Sequence, residues 1–230
     1  MPFLRFSRAG RNLYSLLDIN FAQIFIGFTV LLFSLTVHEM AHAWTADLLG
    51  DPTARTLGRV SFNPIVHADP IGTVVFPLIA MVSGFPLLGW AKPVPVSVRQ
   101  LRHQHRDFVL VAAAGPASNL LLAVIASSLL VLIPVTPVTL GVPNASAPIA
   151  ALLSQAIRLN VLLAVFNLLP IPPLDGGNVV SGLLPRSLAR QFDLVKPYGF
   201  LVLYALMFTG KLDVVLWPPY NLLVSWLPTK

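Results

Sequence analysis

The sequence predicts an all-α integral membrane bundle of about four to six membrane segments, with a small membrane-associated β-hairpin and one re-entrant segment. Three observations carry that prediction. Only 10% of the 230 residues are charged against 56% hydrophobic, whereas ordinary soluble domains carry roughly 25% charged residues. The apolar residues gather into runs, Phe21 to Val37, Phe108 to Ile133 and Ile149 to Leu169, near the ~20-residue length that crosses a bilayer as helix. A further apolar stretch, Ile71 to Trp90, is broken by Pro77, Gly84, Pro86 and Gly89, which suits a segment that enters the membrane and returns.

Length leaves room for a single membrane-embedded domain, residues 1–230, with no sizeable soluble part. The net charge of +6 does not point to nucleic acid, because the basic residues flank apolar runs, where they anchor a chain against anionic headgroups. The bilayer is the expected partner. With no cysteine, disulfides and thiolate metal sites are excluded, and any metal must take histidine and carboxylate ligands. Arg5, Arg8 and Arg11 before an apolar run imitate a signal peptide. The run continues into His38, Glu39 and His42 without a small-residue cleavage site, so it reads as a retained helix.

That first helix extends from near Phe21 to about Leu49, where Gly50-Asp51-Pro52 stops it. Residues 53–70 are polar and turn-rich; Thr56 to Phe62 reads as a short strand, and Val94 to Val98 as a second that pairs with it. The basic tract Arg99 to Arg106 leads into a helix carrying Gly115-Pro116-Ala117-Ser118-Asn119 in its first turns. Pro134 to Pro148 is a proline-rich loop. The helix Ile149 to Leu169 runs into Asn167-Leu168-Leu169-Pro170-Ile171-Pro172-Pro173-Leu174-Asp175-Gly176-Gly177, a membrane helix broken by prolines. A final apolar stretch runs from about Tyr198 to Phe208, with a weaker one around Val214 to Leu227.

His38 and His42 stand four residues apart, one turn along one helix face, so both reach a single metal ion, with Glu39 beside them as a candidate general base. The plainer reading is a pair of buried histidines satisfied by their neighbours. Against it, ionisable groups at membrane depth cost about 2.5–3.5 kcal/mol each on insertion scales, and a divalent cation compensates three of them at once. Glu39 is also the only glutamate in the chain. A catalytic zinc takes three protein ligands and an open position. The candidates for the third are His67, His103, His105 and the aspartates, and Asp175 stands out because it follows a proline-broken membrane helix beside Gly176-Gly177. A helix N-cap before Asn178 to Leu184 is the alternative role for Asp175.

His38-Glu39-Met40-Ala41-His42 within a membrane helix, Gly115-Pro116-Ala117-Ser118-Asn119, and Asn167 through Pro170 to Asp175-Gly176, in this order, resemble the site-2 protease family of intramembrane zinc metalloproteases. The resemblance covers residues of about 30–180. Gly58 to Pro64, His67 to Gly72 and Trp90 to Val96 look like a compact prokaryotic branch without a PDZ domain. The resemblance implies that His38, His42 and Asp175 bind one zinc ion, that Glu39 is the catalytic base, and that Asn119 and Asn167 line the site, there to hold the extended substrate backbone or donate to the developing oxyanion; helix-to-helix bonding is the alternative role for both amides. His67 stays outside this core site. Membrane proteins cut in or near their transmembrane segments are the implied substrates, and a prokaryotic plasma membrane the implied location. A zinc transporter and a catalytically silent membrane scaffold are the rival readings; a transporter does not need Glu39 as a base, and no paired inverted halves are present.

For the ligands to meet, the ends of the first helix and of Ile149 to Leu169 must lie at one depth, which makes those helices parallel and returns Ile71 to Trp90 to its side of entry. Arg55, Arg59, Lys92, Arg99, Arg102, Arg106, Arg186, Arg190 and Lys196 then share the catalytic face, which the positive-inside rule assigns to the cytoplasm.

Overall fold

The computed structural model describes residues 21–83, 89–133 and 146–228. Arg5, Arg8 and Arg11 and most of the Pro134 to Pro148 loop lie outside the described residues. Those residues form helices joined by extended segments: α1 (Phe21–Leu48), α2 (Thr53–Thr56), α3 (Pro64–His67), a π-helical turn (Pro70–Val75) running into α4 (Phe76–Ser83), α5 (Gln104–Leu132), α6 (Ala147–Asn167), α7 (Asp175–Leu183), α8 (Arg186–Asp193), α9 (Gly199–Phe208) and α10 (Lys211–Trp226). Three of them, α1, α5 and α6, are long and apolar enough to cross a membrane. A bent pair, Ser187–Phe208 with Lys211–Trp226 at 86°, counts as a fourth if taken as one span. The described residues therefore hold three to four candidate spans, at or just below the low edge of the expected four to six. The difference comes from Pro70–Ser83, whose two helical pieces reach only ~21 Å at 1.5 Å per residue, short of the ~30 Å core.

α1, α5 and α6 pack together as the centre of the molecule. α1 and α5 run antiparallel: His42 meets Val111, while His38 and Ser34, earlier in α1, meet Asn119. α5 and α6 are antiparallel as well, since Asn119 meets Asn160 and the later Ala126 and Leu130 pack with the earlier Ile157 and Leu153. α1 and α6 are consequently parallel. Leu49 O accepts from Arg102 N at 3.0 Å, so the chain from 49 to 103 starts and finishes at one end of this trio.

Within that layer the expected β-hairpin is absent: neither Thr56 to Phe62 nor Val94 to Val98 is a strand. Thr53–Thr56 is a helical turn, Gly58 has φ +67°, and Asn63 caps α3 by accepting from Ile65 N. Pro93 and Pro95 remove backbone donors on the other side, so no ladder can propagate. Side chains do the stitching instead. Arg59, 5% exposed, donates through Nη2 to Lys92 O (2.6 Å) and Pro93 O (2.8 Å), and Asp51 Oδ2 accepts from Ser97 N (2.6 Å).

The two ends of the Ile71 to Trp90 stretch lie together. Trp90 N donates to Gly72 O (3.1 Å), Thr73 Oγ1 donates to Trp90 O (2.8 Å), and Lys92 N donates to His67 O (2.8 Å). The Trp90 ring then packs edge-on against Phe76 and Phe200.

Candidate metal centre

The later turns of α1 supply His38, Glu39 and His42, all buried. α1 stops where Gly50 adopts φ +108°, a left-handed conformation that favours glycine. α6 ends at Asn167, and the loop 168–174 folds back so that Asp175 opens α7. A Cβ on Gly176 would collide with the backbone carbonyl groups of Leu168 and Leu169; a residue without one lets this loop lie on the first turn of α7. Leu174, not Asp175, is the N-cap residue, and the Asp175 carboxylate is free to turn towards α1.

The three side chains meet. His38 Nε2 lies 3.0 Å from Asp175 Oδ2, His42 Nε2 lies 3.4 Å from Asp175 Oδ1, and the two Nε2 atoms are 3.1 Å apart. Zinc takes nitrogen and oxygen ligands at about 2.0–2.2 Å in a tetrahedral array, which sets neighbouring ligand atoms about 3.3 Å apart. The observed spacings bracket that value. Among the described residues this trio is the only group of three or more histidine and acidic side chains arranged to hold an ion.

Two details of bonding agree with the fit. Both histidines are held from behind at Nδ1, His38 by Asn119 Oδ1 (2.6 Å) and His42 by Val111 O (2.7 Å). A carbonyl only accepts, so His42 carries a proton on Nδ1 and turns Nε2 to the metal position. Asp175 Oδ2 is buried and without a hydrogen-bond donor, an arrangement that costs free energy unless a cation answers it. Opposite the trio stands Gly115 in α5. A Cβ there would lie 2.5 Å from His38 Nε2 and closer still to His42 Nε2, so the missing side chain leaves the space next to the ligand atoms open.

Glu39 is buried next to the trio and outside it. Its charge reaches His67, which sits in α3 at 2% exposure with Nε2 bonded to Ser61 O (2.9 Å) and Nδ1 without a partner. Burial pushes the His67 pKa below its ordinary value, against the opposing pull of the Ser61 carbonyl and Glu39. His67 does not join the ligands, and His103 pairs with Asp107 at the start of α5.

Asn119 and Asn167 are placed differently. Asn119 is fully buried, with Nδ2 donating to Asn160 Oδ1 (2.8 Å) and more weakly to Ser34 O (3.4 Å). Asn167 is half-buried and turns Nδ2 back to Leu163 O (3.0 Å) in its own helix. Asn160 belongs to no motif read from the sequence. A signal existed: it precedes Asn167 by seven residues, two helical turns, and a buried amide in a membrane helix requires a partner.

Comparisons with known proteins point to a zinc metalloprotease. The profile of peptidase family M50 matches residues 134–209. "Putative zinc metalloprotease YwhC" of Bacillus subtilis (strain 168) is 41% identical over 191 residues, 83% of this chain and 84% of that protein. "Putative zinc metalloprotease Rip2" of Mycolicibacterium smegmatis is 32% identical over 79% of this chain and 66% of its own length. The Rip2 of Mycobacterium tuberculosis (strain H37Rv) is 29% identical over 84% of this chain and 69% of its own length. No solved structure matches the chain.

Proposed function

This chain belongs to peptidase family M50, the site-2 proteases, and is a membrane zinc metalloprotease; from that premise we propose that it hydrolyses peptide bonds in or near the transmembrane segments of other membrane proteins. His38, His42 and Asp175 hold one zinc ion, and the observation that carries this assignment is their mutual spacing of 3.0–3.4 Å. Membership of a peptidase family supports this reading over the transporter and scaffold alternatives.

Zinc, when bound, polarises the scissile carbonyl and makes water acidic enough to deprotonate near neutral pH. Glu39 takes that proton on its carboxylate and delivers it to the departing amine. Asn119 fixes His38 from behind, with both ends of its amide engaged by the protein. Asn167, half-buried at the end of α6, has a second amide atom with which to hold an extended substrate backbone. Helical substrates hide their carbonyls, so the substrate is unwound before cleavage.

The stretch Ile71 to Trp90 is re-entrant on this reading. The antiparallel packing of α1 and α5 and the Trp90–Gly72 bond support it. The catalytic end faces the cytoplasm, supported by Arg59, Lys92, Arg102 and Arg106 at that end.

The test is cleavage of a single-span membrane protein by the purified full chain in vesicles. Cleavage should stop with chelator and return with zinc, and the new termini should map within the span. Termini confined to exposed loops of the substrate would overturn the intramembrane assignment. Cysteines placed singly at 60, 100 and 190 should be protected from an impermeant thiol reagent on intact cells, with labelling at 146; opposite accessibility at 60 and 100 would overturn the re-entrant segment.

A further inference from the structure

His38 and His42 both turn Nε2 towards the metal position, yet only His42 has its proton placed by a main-chain carbonyl. His38 Nδ1 faces the side-chain amide of Asn119, and an amide can present either its oxygen or its NH2 group. Presented nitrogen first, Asn119 would require a lone pair on His38 Nδ1. The proton would then sit on Nε2, where it would block a metal ion. The ligand set therefore depends on whatever fixes the direction of the Asn119 amide.

We propose that Asn160, in α6, is a positioning residue for the zinc site: through Asn119 it holds the His38 proton on Nδ1 and leaves Nε2 to the metal. The direction of the chain is set at its far end. Asn160 Nδ2 donates to Ala156 O at 2.9 Å, and since that carbonyl only accepts, Asn160 Oδ1 is the atom turned towards α5. It accepts from Asn119 Nδ2 at 2.8 Å, so Asn119 Oδ1 faces His38 and accepts its Nδ1 proton at 2.6 Å. Asn119, Asn160 and His38 are 0%, 2% and 4% exposed, so reversing the chain would set Asn160 Oδ1 against Ala156 O, acceptor against acceptor, with no water to relieve them. Ser34 O, at 3.4 Å from Asn119 Nδ2, is too distant to impose the same direction strongly. Three membrane helices thus fix one tautomer, and α6 takes part without touching the metal position.

This inference rests on the zinc reading above, and its test reads metal binding directly. Asn160→Leu removes both ends of the link. Asn160→Asp, once protonated, can donate its O–H to Ala156 O and accept from Asn119 on its carbonyl oxygen, which preserves the direction. Zinc affinity of the full chain in detergent is measured by competition with a chromophoric chelator, and ligand geometry by visible absorption of the cobalt-substituted protein. Asn160→Leu should bind zinc about tenfold more weakly, the low end of the 10–100-fold range for partners of metal-bound histidines, while Asn160→Asp should stay within about twofold of the parent. The cobalt bands should shift in the leucine variant and persist in the aspartate variant. Should the leucine variant fail to fold, Asn160→Ala replaces it with the same expectation. Unchanged zinc affinity and cobalt spectrum in a folded leucine or alanine variant would overturn the proposal, as would equal losses in the aspartate and leucine variants. Zinc binding by the parent that ignores Asp175→Ala would instead sink the metal reading itself.

Discussion

Two aspartates, half-buried Asp175 in the helical centre and buried Asp51 in the layer of residues 49–103, show how the same side chain serves as ligand or as structural bond. Asp51 is fully buried, and the protein supplies its donors: Thr53 N at 3.0 Å, Thr53 Oγ1 at 2.5 Å and Ser97 N at 2.6 Å. Asp175 faces the two imidazole Nε2 atoms at 3.0 and 3.4 Å, and its Oδ2 has no hydrogen-bond partner. A carboxylate satisfied by the chain closes a loop onto a helix end. One left unsatisfied at membrane depth waits for a cation. His67, His38 and His42 are each bonded at one ring nitrogen, but only His38 and His42 turn the other to one another and to Asp175.

Removing a metal ligand breaks this comparison most severely. His38→Ala, His42→Ala and Asp175→Ala should each reduce bound zinc from about one ion per chain to background, with total loss of proteolysis, because a three-ligand catalytic site does not survive on two. Metal content by atomic emission and cleavage in vesicles read the two effects. Normal zinc content in Asp175→Ala would move the third ligand elsewhere. Glu39→Gln comes next: the shape is kept and the base removed, so zinc should stay while cleavage falls by roughly 10²–10⁴-fold, the contribution of a positioned general base. Substantial cleavage by that variant would take Glu39 out of the mechanism.

The centre was legible in the sequence because its demands are local and chemical. Helical spacing put His38 and His42 on one face, and the only glutamate stood between them. The Gly50-Asp51-Pro52 stop was legible for the same reason: Gly50 has φ +108°, and the helix ends two residues earlier at Leu48. The layer was not legible. Alternating apolar residues at Val94 to Val98 resemble a strand, but Pro93 and Pro95 deny it donors, and the partner segment is held by the Arg59 guanidinium reaching across more than thirty positions of sequence. Asn160 shows in the sequence only as an amide two turns before Asn167, and its partner is fixed only once α5 and α6 are packed.

Gly115→Ala sharpens the comparison from the metal side. The new Cβ would stand within 2.5 Å of His38 Nε2, well inside van der Waals contact, so α5 or the imidazoles must shift. Overpacking of this kind costs typically 1–3 kcal/mol. The loss should appear in zinc affinity, by about 10–100-fold at that cost, with the apo protein's thermal midpoint little changed if the histidines yield rather than the helix. A variant with parental affinity would mean that the space opposite the ligands is not needed for the ion.

The smallest effect belongs to Asp51, where the comparison predicts loss of stability with no loss of metal. Asp51→Asn keeps the size of the side chain and leaves Oδ1 able to accept from Thr53 N and Oγ1. In place of Oδ2 it puts an NH2 group against Ser97 N, so a donor faces a donor in a site with no exposure. Replacing a charge-assisted bond in this way should cost about 1.5–3 kcal/mol of stability. The effect should appear as a lower unfolding midpoint in detergent, equal with and without chelator because Asp51 makes no use of the ion. Zinc content and the remaining activity per folded molecule should match the parent. If Asp51→Asn instead released zinc at unchanged stability, the distinction between a carboxylate satisfied by the chain and one satisfied by a cation would fail for this protein, and the 49–103 layer would have to be counted as part of the metal centre.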